Sequence, residues 1–208
     1  MRPGRSGRRV IPTAPIRIRN RLAEIILAAL EKPEAHRELA ALGGSDAAPD
    51  WLEGDGLACR PLVRARALSA LAALAGRTAR PIRSRTDLLD AAAALFDAHL
   101  YFEVHELLEP SWREAEGDER EALQGLIQVA VGYQHLANGN FAGARALLEE
   151  GRRRIQGRRL DGLDLEKFGV GVGRSLDRLF QLDWETVPAF PRPRSGGAAR
   201  RSARKEIS

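Results

Sequence analysis

Apolar residues recur every three or four positions through most of the chain, which is the spacing of amphipathic helices. Near the start, Ile18, Leu22 and Ile25 follow this spacing and predict a first helix. We expect this helix to end at Lys32, because the residue before Pro33 resists the α conformation.

Two more helices are predicted before residue 84. One covers residues 34–42 and is closed by the Gly43-Gly44 pair, and the other covers 62–75 with Pro61 in its first turn. The segment 17–83 is therefore predicted to be a helical extension followed by a linker.

The stretch 84–182 carries the pattern of four helices. Their predicted ranges are 84–109, 119–138, 141–155 and part of 165–182. Ser84 and Asn140 are the predicted N-caps of the first and third helices, and Pro110 is expected to disturb the first one at its end. We predict a four-helix core of antiparallel helical hairpins that looks like tetratricopeptide repeats.

The composition supports an all-α fold. The chain has 33 Ala and 28 Leu, which favour helices, against only 21 Val, Ile and Thr, which favour strands. No apolar run reaches the ~18 residues that a membrane-spanning helix needs. The start lacks the apolar region of a secretory signal, and the single Cys59 cannot form an internal disulfide. We therefore expect a cytoplasmic protein without a membrane segment.

Charge is distributed unevenly along the chain. Residues 1–21 carry seven Arg and no acid, whereas 86–121 carry eleven acids and only two Arg. We predict that 1–16 and 183–208 are disordered basic tails, since both are rich in Pro, Gly, Ser and Arg. Such tails bind nucleic acid only weakly and in a salt-dependent way, because no aromatic residues are interleaved to stack on bases.

The first predicted core helix contains the candidate chemistry. His105 and Glu109 lie one turn apart on a face otherwise made of alanines and aromatics, and Trp112 joins that face if the helix continues past Pro110. A buried carboxylate needs a partner, which here is His105, Arg113 or a metal ion. The stripe formed by His99, Glu103 and Glu106 is predicted to be a solvated acidic edge.

The second core helix offers matching polar groups. Gln124, Gln128 and His135 fall on one side of it and are predicted to form the far wall of the site. Gly125 and Gly132 lie a heptad apart, so another helix is expected to approach closely there.

These residues resemble a known family. The run from Leu95 to Trp112 resembles the signature of the bacterial and archaeal domain of unknown function 309, whose His-x-x-x-Glu-x-x-Trp motif is met by His105, Glu109 and Trp112. The Gln124-Gly125-Leu126-Ile127-Gln128 segment, His135 and Gly139-Asn140 follow in the family's order. The resemblance covers about 87–155 and implies an all-helical domain with a suspected metal site at His105 and Glu109, without an established activity.

Two classes of function remain open. The first is a non-catalytic binding or structural domain with a polar pocket that holds one divalent metal ion. The residues of this pocket are His105, Glu109, Trp112, Gln124, Gln128 and His135. The alternative is a metal-dependent hydrolase in which His105, Glu109 and His135 are ligands and Glu106 is the general base. Zinc needs at least three protein ligands, so His105 and Glu109 alone are not a site.

Two simpler interpretations accompany these classes. His105 and Glu109 form a hydrogen-bonded pair that only fixes helix packing, or the site is completed by a second subunit in a homo-oligomer. The partner, whether a protein or a small molecule, is not identified by the sequence.

Overall fold

Eight α-helices dominate the part of the chain that the computed structural model describes, residues 14–44 and 48–192. The helices are α1 (Ile16–Glu31), α2 (Pro33–Gly44), α3 (Arg60–Leu74), α4 (Arg85–Asp97), α5 (Tyr101–Glu114), α6 (Gly117–Ala137), α7 (Phe141–Ile155) and α8 (Glu166–Asp177). Short 3₁₀ turns cover Gly54–Cys59, Leu179–Gln181 and Trp184–Thr186. An antiparallel hairpin joins α7 to α8, and each of its strands, β1 (Arg159–Leu160) and β2 (Leu163–Asp164), has two residues. The all-α prediction is confirmed.

The N-terminal helices follow their sequence signals and pack onto the rest of the fold. Lys32 is extended, with φ −120°, so α1 ends before Pro33 as predicted. α1 and α3 form hairpins with α2, and they also contact α5 and α4 respectively. One continuous apolar cluster runs from Ile18 to Phe190. No helix in the described ranges combines the length and apolar character that crossing a bilayer requires.

The long helix predicted over 84–109 is wrong, because the chain breaks it at His99. The side chain of Ser84 accepts the amide of Asp87 and caps α4 as expected, but α4 ends at Asp97. His99 is left-handed with φ 60°, and the amides of His99 and Leu100 return to the carbonyls of Phe96 and Leu95. This is a Schellman end with histidine where glycine is usual. The predicted four-helix core therefore contains five helices, α4 to α8.

Pro110 does not disturb α5 in the way that was predicted. The helix runs through Pro110 and ends at Glu114. Trp112 consequently keeps helical phase with His105 and Glu109.

The closest helix packing lies between α6 and α7, at glycines. A methyl group on Gly132 would lie 2.8 Å from Cγ of Leu148, and one on Gly125 would lie 2.9 Å from the carbonyl oxygen of Gly151. The prediction that Gly125 and Gly132 admit another helix is confirmed. The side chain of Asn140 accepts the amide of Gly143 and caps α7 as predicted.

A buried ion pair joins α5 to α3. Glu103 has no exposed surface, and Nη2 of Arg66 donates to its two carboxylate oxygens at 2.7 and 2.9 Å. The predicted solvated edge is therefore wrong at Glu103. Its partner lies 37 residues earlier in the chain, and helical spacing around Glu103 carries no information about it.

The predicted disorder of 183–208 is also wrong as far as residue 192. Phe190 is 2% exposed and packs on Phe96 and Phe168 at ring-centroid distances of 5.2 and 5.5 Å. Burial of this aromatic ring against the core offsets the cost of ordering the segment. The predictions for residues 1–13 and 193–208 lie outside the described residues.

We expect Arg66→Ala to lower the free energy of unfolding by about 3–5 kcal/mol, because it leaves a buried carboxylate without its cation. Urea unfolding measures this loss. The control is Arg21→Ala, whose partners Glu24 and Glu38 have side chains 67% and 43% exposed, and its expected loss is below about 1 kcal/mol. Equal losses in the two variants would contradict the role of the Glu103 pair.

We expect Gly132→Ala to destabilise the protein by roughly 1–3 kcal/mol, since the added methyl group meets Leu148 and must push α7 away. The matched control is Gly44→Ala, where a methyl group meets nothing within 4 Å. Thermal unfolding of both variants tests the contact. A Gly132→Ala variant as stable as the control would show that α6 and α7 are not closely packed there.

Candidate functional site

One side of α5 carries the residues of the sequence motif. Phe102, His105, Glu109 and Trp112 follow a three-to-four spacing, and all four are partly exposed. The side chains of His105 and Glu109 are 30% and 28% exposed. They therefore lie at a rim and are not fully buried, so water can reach them.

His105 is flanked by two carboxylates, one on each ring nitrogen. Its Nδ1 lies 3.2 Å from Oε1 of Glu106, and its Nε2 lies 3.9 Å from Oε2 of Glu109. The other oxygen of Glu109 accepts a hydrogen bond of 2.8 Å from Nη2 of Arg113. His105 and Arg113, the two protein partners predicted for Glu109, are thus both beside it. The 3.9 Å separation is too long for a hydrogen bond.

His105, Glu106 and Glu109 could share one metal ion. One potential ligand atom from each lies within 4.8 Å of the other two, and this is the one such group of His, Cys, Asp and Glu within 14–44 and 48–192. Ligands bound at about 2.0–2.2 Å to one ion lie no more than ~4.4 Å apart. The 4.8 Å limit on the spacing of the three donors is therefore close to the spacing that one shared ion needs. Glu106, the expected base, belongs to this group.

Trp112 is held by an arginine of the next helix. The Arg120 guanidinium lies 4.3 Å from the centroid of the Trp112 ring. Its Nη1 also donates to the carbonyl of Trp112 at 2.9 Å and to those of Arg113 and Ala115 at 3.3 Å. One side chain thus satisfies the last carbonyls of α5 and fixes the α5–α6 hairpin. The indole Nε1 of Trp112 is buried without a hydrogen-bond partner.

The predicted far wall on α6 divides into two parts. Gln124 and Gln128 are half-buried, and Oε1 of Gln128 is buried without a partner. His135, in the last turn of α6, instead contacts the N-cap of α7, where its Nδ1 is 2.7 Å from Nδ2 of Asn140. Across the described ranges, no hydrogen bond or ion pair joins these three residues to His105 or Glu109. The shared pocket therefore stays a prediction.

The register of the hairpin gives the height of Gln128 along α5. Arg120 contacts Trp112 at one end, and Gln134 lines the same small cleft as Phe102 at the other. Gln128 lies about midway between Arg120 and Gln134. Because the two helices are antiparallel, interpolation between these contacts places it at about the height of residues 106–107 of α5.

Comparison with known proteins supports the family resemblance. Residues 89–147, which run from α4 into α7, match the family described as "Domain of unknown function (DUF309)". The chain is also similar to the "Uncharacterized protein YpuF" of Bacillus subtilis (strain 168), with 34% identity over 93 residues. That match covers 43% of this chain and 52% of the relative, so the chain spans about half the relative's length. No solved structure matches the chain significantly.

We expect Arg120→Met to destabilise the hairpin by roughly 1–3 kcal/mol, because three carbonyls lose their donor and the indole loses its cation. The control is Arg113→Met, whose side chain is 66% exposed and whose expected loss is below about 1 kcal/mol. Unfolding followed by tryptophan fluorescence measures both. An Arg120→Met variant with the stability of the control would contradict the role of Arg120 in fixing the α5–α6 hairpin.

Proposed function

We propose that the α5–α6 hairpin is a non-catalytic binding module in which His105, Glu106 and Glu109 hold one divalent transition-metal ion. The observation that carries the proposal is the grouping of their three potential ligand atoms within 4.8 Å of one another. The ion would link consecutive turns of α5 and replace the contact between the imidazole and its flanking carboxylates.

The charges around the site favour a cation. With a neutral imidazole, Glu106 and Glu109 contribute two negative charges, and Arg113 offsets only one of them. The Arg113 side chain is 66% exposed, so it can release Glu109 into solvent at little cost. A divalent ion then neutralises both carboxylates.

The donor set indicates which metals fit. One imidazole nitrogen with carboxylate oxygens suits zinc, iron, manganese or nickel, whereas calcium and magnesium prefer oxygen ligands alone. Oε1 of Gln128 is a buried acceptor without a partner among the described residues, at about the height of Glu106 on the neighbouring helix. It is a candidate to accept a hydrogen bond from a metal-bound water, since a buried acceptor without a partner is costly.

Binding is favoured over the hydrolase alternative by the position of Glu106. A general base needs a carboxylate that is free to take a proton from water, whereas the grouping of Glu106 with His105 and Glu109 makes it a candidate ligand. The third ligand of that alternative, His135, is engaged with Asn140 at the start of α7. A cytoplasmic location belongs to the same proposal, because a reducing compartment keeps the lone thiol of Cys59 free.

Elemental analysis of the full chain, purified without an affinity tag, tests the proposal together with calorimetric titration of Zn²⁺ and Mn²⁺. We expect about one ion per chain, and at least a tenfold loss of affinity in His105→Ala and in Glu109→Gln. Circular dichroism shows whether each variant is folded.

Two matched variants separate the ligand sets. Glu106→Gln is expected to weaken binding of the ion, whereas His135→Ala and the control His36→Ala are expected to leave it unchanged. Weaker binding in His135→Ala with normal binding in Glu106→Gln would instead support the hydrolase ligand set. Wild-type protein that binds neither metal, with variants that only lose stability, would show that His105 and Glu109 form a packing pair.

A further inference from the structure

The C-terminal strap, which we define as residues 183–192, closes over the junction between α4 and α5. Its Phe190 is buried against Phe96, and its Trp184 lies against the His99 ring at a centroid distance of 5.7 Å. Pro188 packs on α8 at Gly171, where a methyl group would come within 2.5 Å of it. The strap thus contacts α4, α5 and α8, through aromatic rings at the first two and at a glycine on the third.

A single carboxylate fastens the strap. Oδ1 of Asp97 accepts the backbone amide of Phe190 at 2.9 Å, and Oδ2 accepts Nη2 of Arg192 at 2.6 Å. Arg192 also lies 3.5 Å from Asp90, which in turn pairs with Arg77. Both oxygens of Asp97 are therefore committed to the strap.

His99 is placed between the strap and the core. Its ring stacks on Tyr101 at 5.6 Å and 14°, with Trp184 on the strap side. The left-handed backbone at φ 60° fixes this position, because it turns the chain sharply between α4 and α5. No hydrogen bond or ion pair to the His99 side chain occurs within residues 14–44 and 48–192.

A buried polar group lies directly beneath. Tyr101 has no exposed surface, and its hydroxyl group has no hydrogen-bond partner among the described residues, whereas the neighbouring Tyr133 donates to Ser175 at 2.8 Å. Such an orphan hydroxyl is unfavourable while the strap is closed, and opening the strap would give it access to water. Aromatic packing and the hydrogen bonds of Asp97 therefore stabilise the closed state, and the unpaired hydroxyl group of Tyr101 destabilises it.

We propose that the strap is a pH-sensitive closure that protonation of His99 loosens from the aromatic core. A charged imidazole between Tyr101 and Trp184 would lose its water without gaining a hydrogen-bond partner. The inference is independent of metal binding, since it concerns residues on the α4–α5 junction and the strap.

The groups that face His99 decide the direction of the effect. Burial lowers the pKa of His99, while the carboxylates of Glu185 on the strap and Asp97 on α4 act in the opposite direction. Asp97 already pairs with Arg192, which reduces its influence. On α5 the facing group is Tyr101, whose pKa burial raises well above its usual range, so it stays neutral. α8 contributes the uncharged Gly171 and Phe168.

The sign follows from linkage. Because the closed state lowers the pKa of His99 below its ordinary value of 6.5, the open state binds the proton more readily. The contribution of neutral His99 to closure is therefore fully present above about pH 6.5 and is lost as the pH falls below it. One linked proton limits the change in the closing equilibrium to at most about tenfold per pH unit.

Hydrogen exchange of the Phe190 amide, followed by NMR on the full chain, tests the proposal. After correction for the intrinsic exchange rate, we expect its protection factor to fall severalfold between pH 7.5 and 5.5. His99→Asn is expected to remove this pH dependence, since asparagine tolerates the left-handed backbone but does not titrate. His36→Asn is the control for a histidine elsewhere and should keep the wild-type dependence.

Asp97→Asn distinguishes the hydrogen bonds that hold the strap from the pH dependence that His99 causes. This substitution is expected to lower the protection factor of the Phe190 amide at every pH, while the pH dependence that His99 causes remains. A wild-type protection factor that is constant or rises as the pH falls would overturn the proposal, as would an unchanged dependence in folded His99→Asn.

Discussion

The buried pair between Glu103 and Arg66 determines how α5 is oriented. A carboxylate without exposed surface is tolerated only with its cation, so α5 must present Glu103 to α3. His105 lies two residues further on, about 200° around the helix, and is therefore turned away from α3. Glu109 and Trp112 follow His105 on that side. The position of the candidate site thus results from an ion pair that contributes no atom to it.

Local signals in the sequence were sufficient for most of the helices. Each of these signals affects the chain within a few residues of its own position, and each does so as predicted. They are the helix end before Pro33, the N-caps Ser84 and Asn140, and the glycines of α6. The break at His99 was missed because the apolar spacing of α4 continues without interruption into α5. Histidine is also an unusual residue for the left-handed end of a helix. Only the tertiary packing of its ring against Tyr101 and Trp184 explains it.

The site was predictable in part for the same physical reason. His105 and Glu109 are neighbours through helix geometry alone, and so a sequence shows them. Residues adjacent in a helix, such as His105 and Glu106, usually point in different directions. The contact of Glu106 with Nδ1 of His105 depends on the long, flexible glutamate side chain at a solvent-exposed rim. Arg66 of the Glu103 pair and Phe190 of the strap come from distant parts of the chain, so helical spacing could not reveal either contact.

The two proposals meet on the first turns of α5. Tyr101, which Trp184 of the strap contacts, lies one turn before His105 on the same helix, so His105 and Glu109 keep their relative positions while α5 moves as a unit. The chain between α4 and α5 is short, and its left-handed residue is His99 itself. Protonation of His99 therefore acts at the junction that sets where α5 begins. The Glu103 pair lies between the two sites and holds α5 to α3, so it limits how far such a shift travels. A change confined to the strap therefore leaves the proposed metal ligands in place, and only a change within α5 between Tyr101 and Glu109 would alter their geometry.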